Sequence, residues 1–138
     1  MTHTFPLRVY YEDTDLAGVV YYANYLKFIE RARTEWVRGL GVDQGKLKSD
    51  TGVVFVVRRV EADYLAPARF DDELIVRTEI QSVGGARLVL KQDVTRAADT
   101  LFSALVTLAA LTATGHPTRL PAEFRRLLPA NPPEKTHK

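Results

Sequence analysis

The chain of 138 residues has no cysteine, and its three histidines, His3, His116 and His137, all sit near the termini. Without cysteine there is no disulfide, no thiolate metal site and no cysteine nucleophile. A Ser-His-Asp triad or an imidazole metal centre needs a His held firmly inside the scaffold, and none is placed for that. Serine is scarce too: Ser49, Ser82 and Ser103 are the only ones, and none lies in a G-x-S-x-G turn. Walker loops and G-x-G-x-x-G fingerprints are absent. No apolar run reaches the ~18–20 residues of a membrane span; the richest, from Leu101 to Ala113, is broken by Ser103, Thr107 and Thr112. The N-terminal stretch turns acidic by Asp15 and has no charged-then-apolar leader pattern. If this chain does chemistry, carboxylates and backbone dipoles must carry it.

What is present is a globular profile, with 46% hydrophobic and 26% charged residues, eight Gly and seven Pro. A chain of this length buries about 68% of its unfolded surface and can build a core without staples. The expectation is one soluble, cytoplasmic domain. The net charge of +2 is unevenly placed: residues 114–138 hold five basic and two acidic groups (+3), leaving 14 basic against 15 acidic (−1) in residues 1–113. No Lys/Arg stripe interleaved with aromatics is present, which argues against nucleic acid as a partner.

Residues 5–12 are β-branched and aromatic and read as a strand. A turn-rich Asp13-Thr14-Asp15-Leu16-Ala17-Gly18 follows, and Asn24 is placed as the N-cap of the next element. Tyr25, Phe28, Ile29, Ala32, Trp36, Val37 and Leu40 recur at three- and four-residue steps, so Tyr25 to about Leu40 reads as an amphipathic helix ended by Gly39 and Gly41. From Val53 the period switches to two. One long strand runs to about Pro67, and three more, turning at Gly84-Gly85 and at residues 97–99, form an antiparallel meander up to Thr112. Residues 114–138 read as a Pro-rich basic tail in which a short helix fits between Pro121 and Leu128. The fold class is α+β, an antiparallel sheet of about five strands around one long helix. One helix cannot cover both faces of such a sheet, so a homo-oligomer is expected.

The cluster Glu12-Asp13-Thr14-Asp15 lies between a strand and a helix start, where a carboxylate interacts favourably with the helix dipole. Amides at a helix start can polarise a carbonyl and stabilise an oxyanion. A carboxylate beside a polarised carbonyl is a minimal acyl-transfer site, acting as nucleophile or as base for water. Five of the six tyrosines, Tyr10, Tyr11, Tyr21, Tyr22 and Tyr25, flank this turn and can line a pocket. The plainer reading makes Asp13 and Asp15 turn and cap residues, which Asp favours anyway. A calcium loop does not fit: Asp13, Asp15 and Gly18 match its first, third and sixth positions, but the fifth is Ala17 and the twelfth is Asn24, where a bidentate Glu is required. No metal is expected.

The run Arg8-Val9-Tyr10-Tyr11-Glu12-Asp13-Thr14-Asp15-Leu16-Ala17-Gly18-Val19-Val20-Tyr21-Tyr22-Ala23-Asn24-Tyr25, followed by Phe28 and Glu30-Arg31-Ala32-Arg33, closely resembles the hotdog-fold acyl-CoA thioesterases. Its nearest branch is similar to the Tol–Pal-associated thioesterases, related to 4-hydroxybenzoyl-CoA thioesterase. A second run, from Asp63 through Pro67 and Asp71-Asp72 to Leu74, also resembles the family, and the likeness covers about residues 5–113. A hotdog domain over 1–113 is therefore expected, with 114–138 as its tail.

The resemblance implies hydrolysis of an acyl-CoA thioester by Asp15, the second carboxylate of D-x-D-x-x-G. It implies pocket roles for Tyr22, Asn24 and Tyr25, and an oxyanion amide from residues 52–54, with Gly52 and Val54 at its ends. Arg58, Arg59, Arg87 and Lys91 are candidates for coenzyme A phosphates, Arg58 and Arg87 foremost, although each alone reads as a solvated strand residue. Relatives of that branch carry His where this chain has Tyr22, so any proton transfer by that His is missing here. Coenzyme A would be part of the substrate, with no separate cofactor. A second subunit, in a homodimer or homotetramer with each site at a subunit interface, would be the partner, and an acyl carrier protein is a further candidate. The alternative is a non-catalytic module binding an acyl group or acyl carrier protein. A hotdog dehydratase is disfavoured, because such enzymes use a pocket His.

Overall fold

The structure is a computed structural model that describes residues 2–128; the last stretch of the expected tail, 129–138, lies outside the described residues. Its elements are β1 (His3–Arg8), α1 (Asn24–Gly39), α2 (Gln44–Thr51), β2 (Val54–Tyr64), β3 (Glu73–Val83), β4 (Arg87–Arg96), β5 (Asp99–Leu111) and α3 (Ala122–Leu127). The strands form one antiparallel sheet in the order β1-β3-β4-β5-β2. Strands β3, β4 and β5 are the expected meander. β2 crosses over to pair with β5, which makes it an edge strand. This is the hotdog arrangement expected from the sequence.

The sheet wraps α1 because one face of each is apolar. Tyr25, Phe28, Ile29, Ala32, Trp36 and Val37 are the buried positions of α1, and they meet Leu74, Val76, Leu88, Leu90, Val94, Phe102 and Val106 from alternate positions of the sheet. The other face of the sheet alternates into Arg77, Glu79, Arg87, Lys91 and Glu61. One buried polar cluster interrupts the core. Gln92, fully buried, accepts from Arg33 Nη1 at 2.9 Å and donates to Ile29 O at 3.0 Å and Thr78 Oγ1 at 2.9 Å. Burial draws the Arg33 guanidinium down from its usual value, with Glu30 opposing, yet it stays charged. A Gln92→Leu protein is expected to lose about 1–3 kcal/mol, the cost of leaving buried polar groups unpaired; the midpoint of urea unfolding reads it.

Three expectations are corrected and one element is added. β1 ends at Arg8 rather than near residue 12, because Asp13 Oδ2 accepts from Tyr10 N at 2.8 Å and folds residues 11–13 into a 3-10 turn. Asn24 is not the N-cap of α1: Ala23 holds that place, and Asn24 is the first helical residue. Helix α2 was not expected. It has no buried face, so no apolar period betrays it, and it is set by the Asp43 cap, whose Oδ1 accepts from Lys46 N at 3.0 Å. The stretch after residue 113 is not peripheral up to Leu128. Leu120, Phe124 and Leu128 are buried, and Phe124 packs on Phe55 with ring centroids 4.9 Å apart. The short helix expected there is α3.

Candidate active site

The acidic turn is a closed loop built by its own backbone. Asp15 N donates to Val19 O, Gly18 N to Asp15 O and Tyr21 N to Asp13 O, all at 2.9 Å, and Thr14 bridges Val20. Gly18 sits at φ +82°, the left-handed conformation that closes such a turn and that glycine adopts freely. The two aspartates separate into distinct roles. Asp13 caps the preceding turn through Tyr10 N, and its carbonyl accepts from Asn24 Nδ2 at 2.9 Å, tying the loop to the start of α1. Asp15 is exposed. Its Oδ1 accepts from Ala17 N at 2.9 Å and Val19 N at 3.4 Å, while Oδ2 has no hydrogen-bond partner among the described residues. One oxygen is held by the loop amides and the other is left without a hydrogen-bond partner among the described residues, which suits a nucleophile or a base.

The second family-like run braces this loop. Val20 N donates to Ala68 O at 2.8 Å, Val19 bridges Arg69, and Val9 exchanges backbone bonds with Asp71 and Asp72. Asp72 Oδ2 accepts from Arg69 N and from Arg96 Nη1, each at 2.8 Å. Burial works to raise the Asp72 carboxyl, but the Arg69 amide and the Arg96 guanidinium outweigh it and hold it below the usual carboxylate range. The clamp therefore persists at neutral pH. Its stabilisation is present above the ordinary aspartate range and is lost as pH falls through that lowered value.

Of the tyrosines, Tyr25 is buried: its ring stacks on Phe102 at 5.0 Å and its hydroxyl accepts from Ala68 N at 3.0 Å. Within this chain it is a core residue that steadies the loop. Tyr22 is exposed, 5.0 Å from Tyr21 and 6.1 Å from Tyr64, and its carbonyl accepts from Tyr64 Oη at 3.0 Å. Tyr64 was given no site role in the sequence, where it ends a strand and lies in the second family-like run. Burial raises both the Tyr25 and Tyr64 phenols, so both are hydrogen-bonding groups and not bases at neutral pH.

The remaining candidates stand elsewhere. Gly52 ends α2 at φ +77°, donating to Lys48 O at 2.7 Å, and Val54 opens β2 opposite Leu111. A Gly52→Ala chain is expected to lose about 1–2 kcal/mol, the cost of a side chain in the left-handed region, measured as a lower denaturation midpoint. Arg58 occupies the irregularity where the β2–β5 register shifts between Val57 and Arg59, and Arg87 opens β4. Arg59 and Lys91 are paired with Glu61 at 2.7 Å and Asp93 at 3.7 Å. Arg58 and Arg87 form no ion pair with the described residues.

These groups do not meet within one chain. The Asp15 loop lies at the Tyr64 end of β2, and Gly52 and Val54 lie at the other end, about 33 Å along the strand at 3.3 Å per residue. Among the described residues, no group of three His, Asp or Glu side chains could hold a metal ion, and no helix is long and apolar enough to cross a membrane.

A sheet wrapped on one helix, with an exposed carboxylate held in a rigid loop beside it, defines a hotdog protein with the layout of a thioester hydrolase. The chain belongs to the thioesterase superfamily, whose profile matches residues 17–103. It is 50% identical over 98 residues to the acyl-CoA thioester hydrolase YbgC of Escherichia coli, covering 71% of this chain and 72% of that one. It is 48% identical over 93 residues to the acyl-CoA thioesterase YbgC of Haemophilus influenzae, covering 67% and 68%. The crystal structure of a probable thioesterase from Bartonella henselae superposes with a TM-score of 0.84 at 38% identity, covering 88% of this chain and all of that one.

Proposed function

We propose that this protein hydrolyses an acyl-CoA thioester to the free acid and coenzyme A, with Asp15 as nucleophile or general base. The observation that carries the reading is the Asp15 carboxylate itself, fixed through Oδ1 and open at Oδ2, in a thioesterase-superfamily chain. Water or the carboxylate adds to the thioester carbonyl, the charge on oxygen is met by backbone amides, and the C–S bond breaks. The thiol leaves with a proton, and water supplies the acid's second oxygen. Coenzyme A is part of the substrate and the chemistry calls for no separate cofactor. A cytoplasmic setting belongs to the same proposal.

The working unit is a homo-oligomer built on a two-fold pair. β1 is a short edge containing Pro6, a protected end of the sheet. β2 is eleven residues long and exposes Val57, Val60 and Tyr64 along an open edge. Antiparallel addition of a second β2 continues the sheet and sets the start of one β2 beside the end of the other. Residues 52–54 of one protomer then flank the partner's Asp15, which supports an oxyanion amide supplied from across the pair, while Arg58 lies near the middle of the paired strands.

Thiol release from short, long and aromatic acyl-CoAs by the purified protein tests the reading. Turnover on any of them supports it. A folded oligomer that binds acyl-CoA or acyl carrier protein without releasing thiol would favour a binding module, the reading that Tyr22 at a His-bearing position keeps in view.

A further inference from the structure

Helix α2 is held to the rest of the chain by very little. Every one of its residues is exposed except Leu47, which is half-buried and is its only apolar side chain. Glycines in the left-handed conformation stand just outside both ends, Gly41 at φ +89° and Gly52 at φ +77°. The ground beneath the helix is open. A cleft of about 280 Å³ separates α2 from the start of β2 and is lined by Leu47, Val53 and Phe55. Another of about 400 Å³ lies between α2 and α3, against Leu47, Val42 and Phe124. A third of about 220 Å³ runs between α1 and β2 past Val37, Phe55, Leu108 and Phe124. Leu47 lines the first two, and Phe55 and Phe124 connect them to the third, so one leucine partitions a larger space floored by aromatic and aliphatic side chains. A helix of eight residues does not persist in water without packing, since isolated helices shorter than about 12–15 residues are marginal. Segments with few buried apolar contacts are also the ones that open at low cost.

The place of α2 in the fold identifies what lifts it. Its C-terminal glycine begins residues 52–54, the segment that in the proposed pair flanks the partner's Asp15. A thioester carbonyl held there has its acyl chain at the foot of α2, and the apolar floor adjoining that point is Val53 and Phe55, with Phe124 beyond. Removing acyl methylenes from water favours their burial on that floor. We propose that α2 is a hinged cover, latched by Leu47, which a long acyl chain lifts from its seat so that the clefts join into one compartment. Short acyl groups bind with the cover down. This rests on the hydrolase reading above and deepens it, making Leu47 a residue that sets acyl length.

Two measurements test the cover. Hydrogen exchange is followed in the wild-type protein bound to S-hexadecyl-coenzyme A and to S-ethyl-coenzyme A, thioethers that cannot be hydrolysed. Amides of residues 44–51 are expected to exchange about tenfold faster with the long ligand, because a lifted α2 loses its helix, while α1 is equally protected in both. Equal or greater protection of 44–51 with the long ligand overturns the cover, as does failure of that ligand to bind. Steady-state hydrolysis of palmitoyl-CoA and propionyl-CoA then compares wild type with Leu47→Ser and Asp43→Ala. In Leu47→Ser the palmitoyl-to-propionyl ratio of kcat/KM is expected to rise about fivefold, equivalent to about 1 kcal/mol, the scale of releasing a half-buried leucine from its seat. Asp43→Ala removes the cap of α2 but no apolar surface, and moves the ratio in the same direction. An unchanged ratio in Leu47→Ser overturns the cover, and so does a rise confined to that variant, which would mean only a wider cleft. Wild-type turnover of both thioesters without these shifts removes the cover alone; turnover of no acyl-CoA removes the hydrolase reading and the cover with it.

Discussion

Asp15→Asn is expected to lower the rate of thiol release by about 10²–10⁴, the range for removing a positioned general base or nucleophile, while the protein folds as before. The second half of that expectation comes from the loop. Asp15 Oδ1 accepts from Ala17 N and Val19 N, and an asparagine oxygen can accept the same two bonds. The Gly18 turn and the backbone bonds from Asp15 to Val19 do not depend on the charge. The substitution therefore removes the reactive oxygen's charge at little structural cost. Unfolding midpoints within ~0.5 kcal/mol of wild type would confirm the separation. Full activity in a folded Asp15→Asn protein would show that another group does the chemistry. Asp13→Asn is the companion control: its carboxylate caps Tyr10 N, so a stability loss of about 0.5–2 kcal/mol is expected there, with turnover falling only as the loop loosens.

Val60→Lys is expected to separate the protomers and, with them, the activity. Val60 is exposed on the inner half of β2, and a lysine on an open strand edge is a standard way of blocking strand addition. A single chain places Asp15 and residues 52–54 at opposite ends of β2, so under the proposed pairing a separated protomer would have a carboxylate without its amide donor. Losing one such donor costs about 10²–10³ in kcat, and losing the opposing wall of the pocket adds to that. Light scattering after size exclusion reads the mass, and thiol release at the same concentrations reads the activity. A monomer with wild-type turnover would mean that one chain is sufficient and that the site is assembled differently. A Val60→Lys protein that stays oligomeric would move the interface away from the β2 edge.

The elements with strong periodicity were readable from the sequence because burial imposes the period. The buried residues of α1 are those that recur at three- and four-residue steps, and β3 to β5 alternate as a half-buried sheet must. Helix α2 escaped that reading because no face of it is buried and only its Asp43 cap marks it. β1 was read four residues too far because side-chain bonding by Asp13 overrode the strand preference of Tyr10 and Tyr11. In the tail, the spacing of Leu120, Phe124 and Leu128 is that of a buried stripe, but proline and charge dominate the composition and hide it.

The chemistry divides the same way. The expectation that a carboxylate carries the chemistry was legible in the sequence alone, since cysteine is absent and every histidine lies near an end. The D-x-D-x-x-G turn and the run around Pro67 are likewise written in the chain, as local and family-like patterns. Which aspartate is free and which is a cap was decided by tertiary structure. Hydrogen bonds from Tyr10, Ala17 and Val19 assign those roles, and backbone geometry is not spelled out by residue type. The sheet order also belongs to tertiary structure, because strand pairing joins residues far apart in sequence. It leaves β2 open at the edge and sets Asp15 and residues 52–54 at opposite ends.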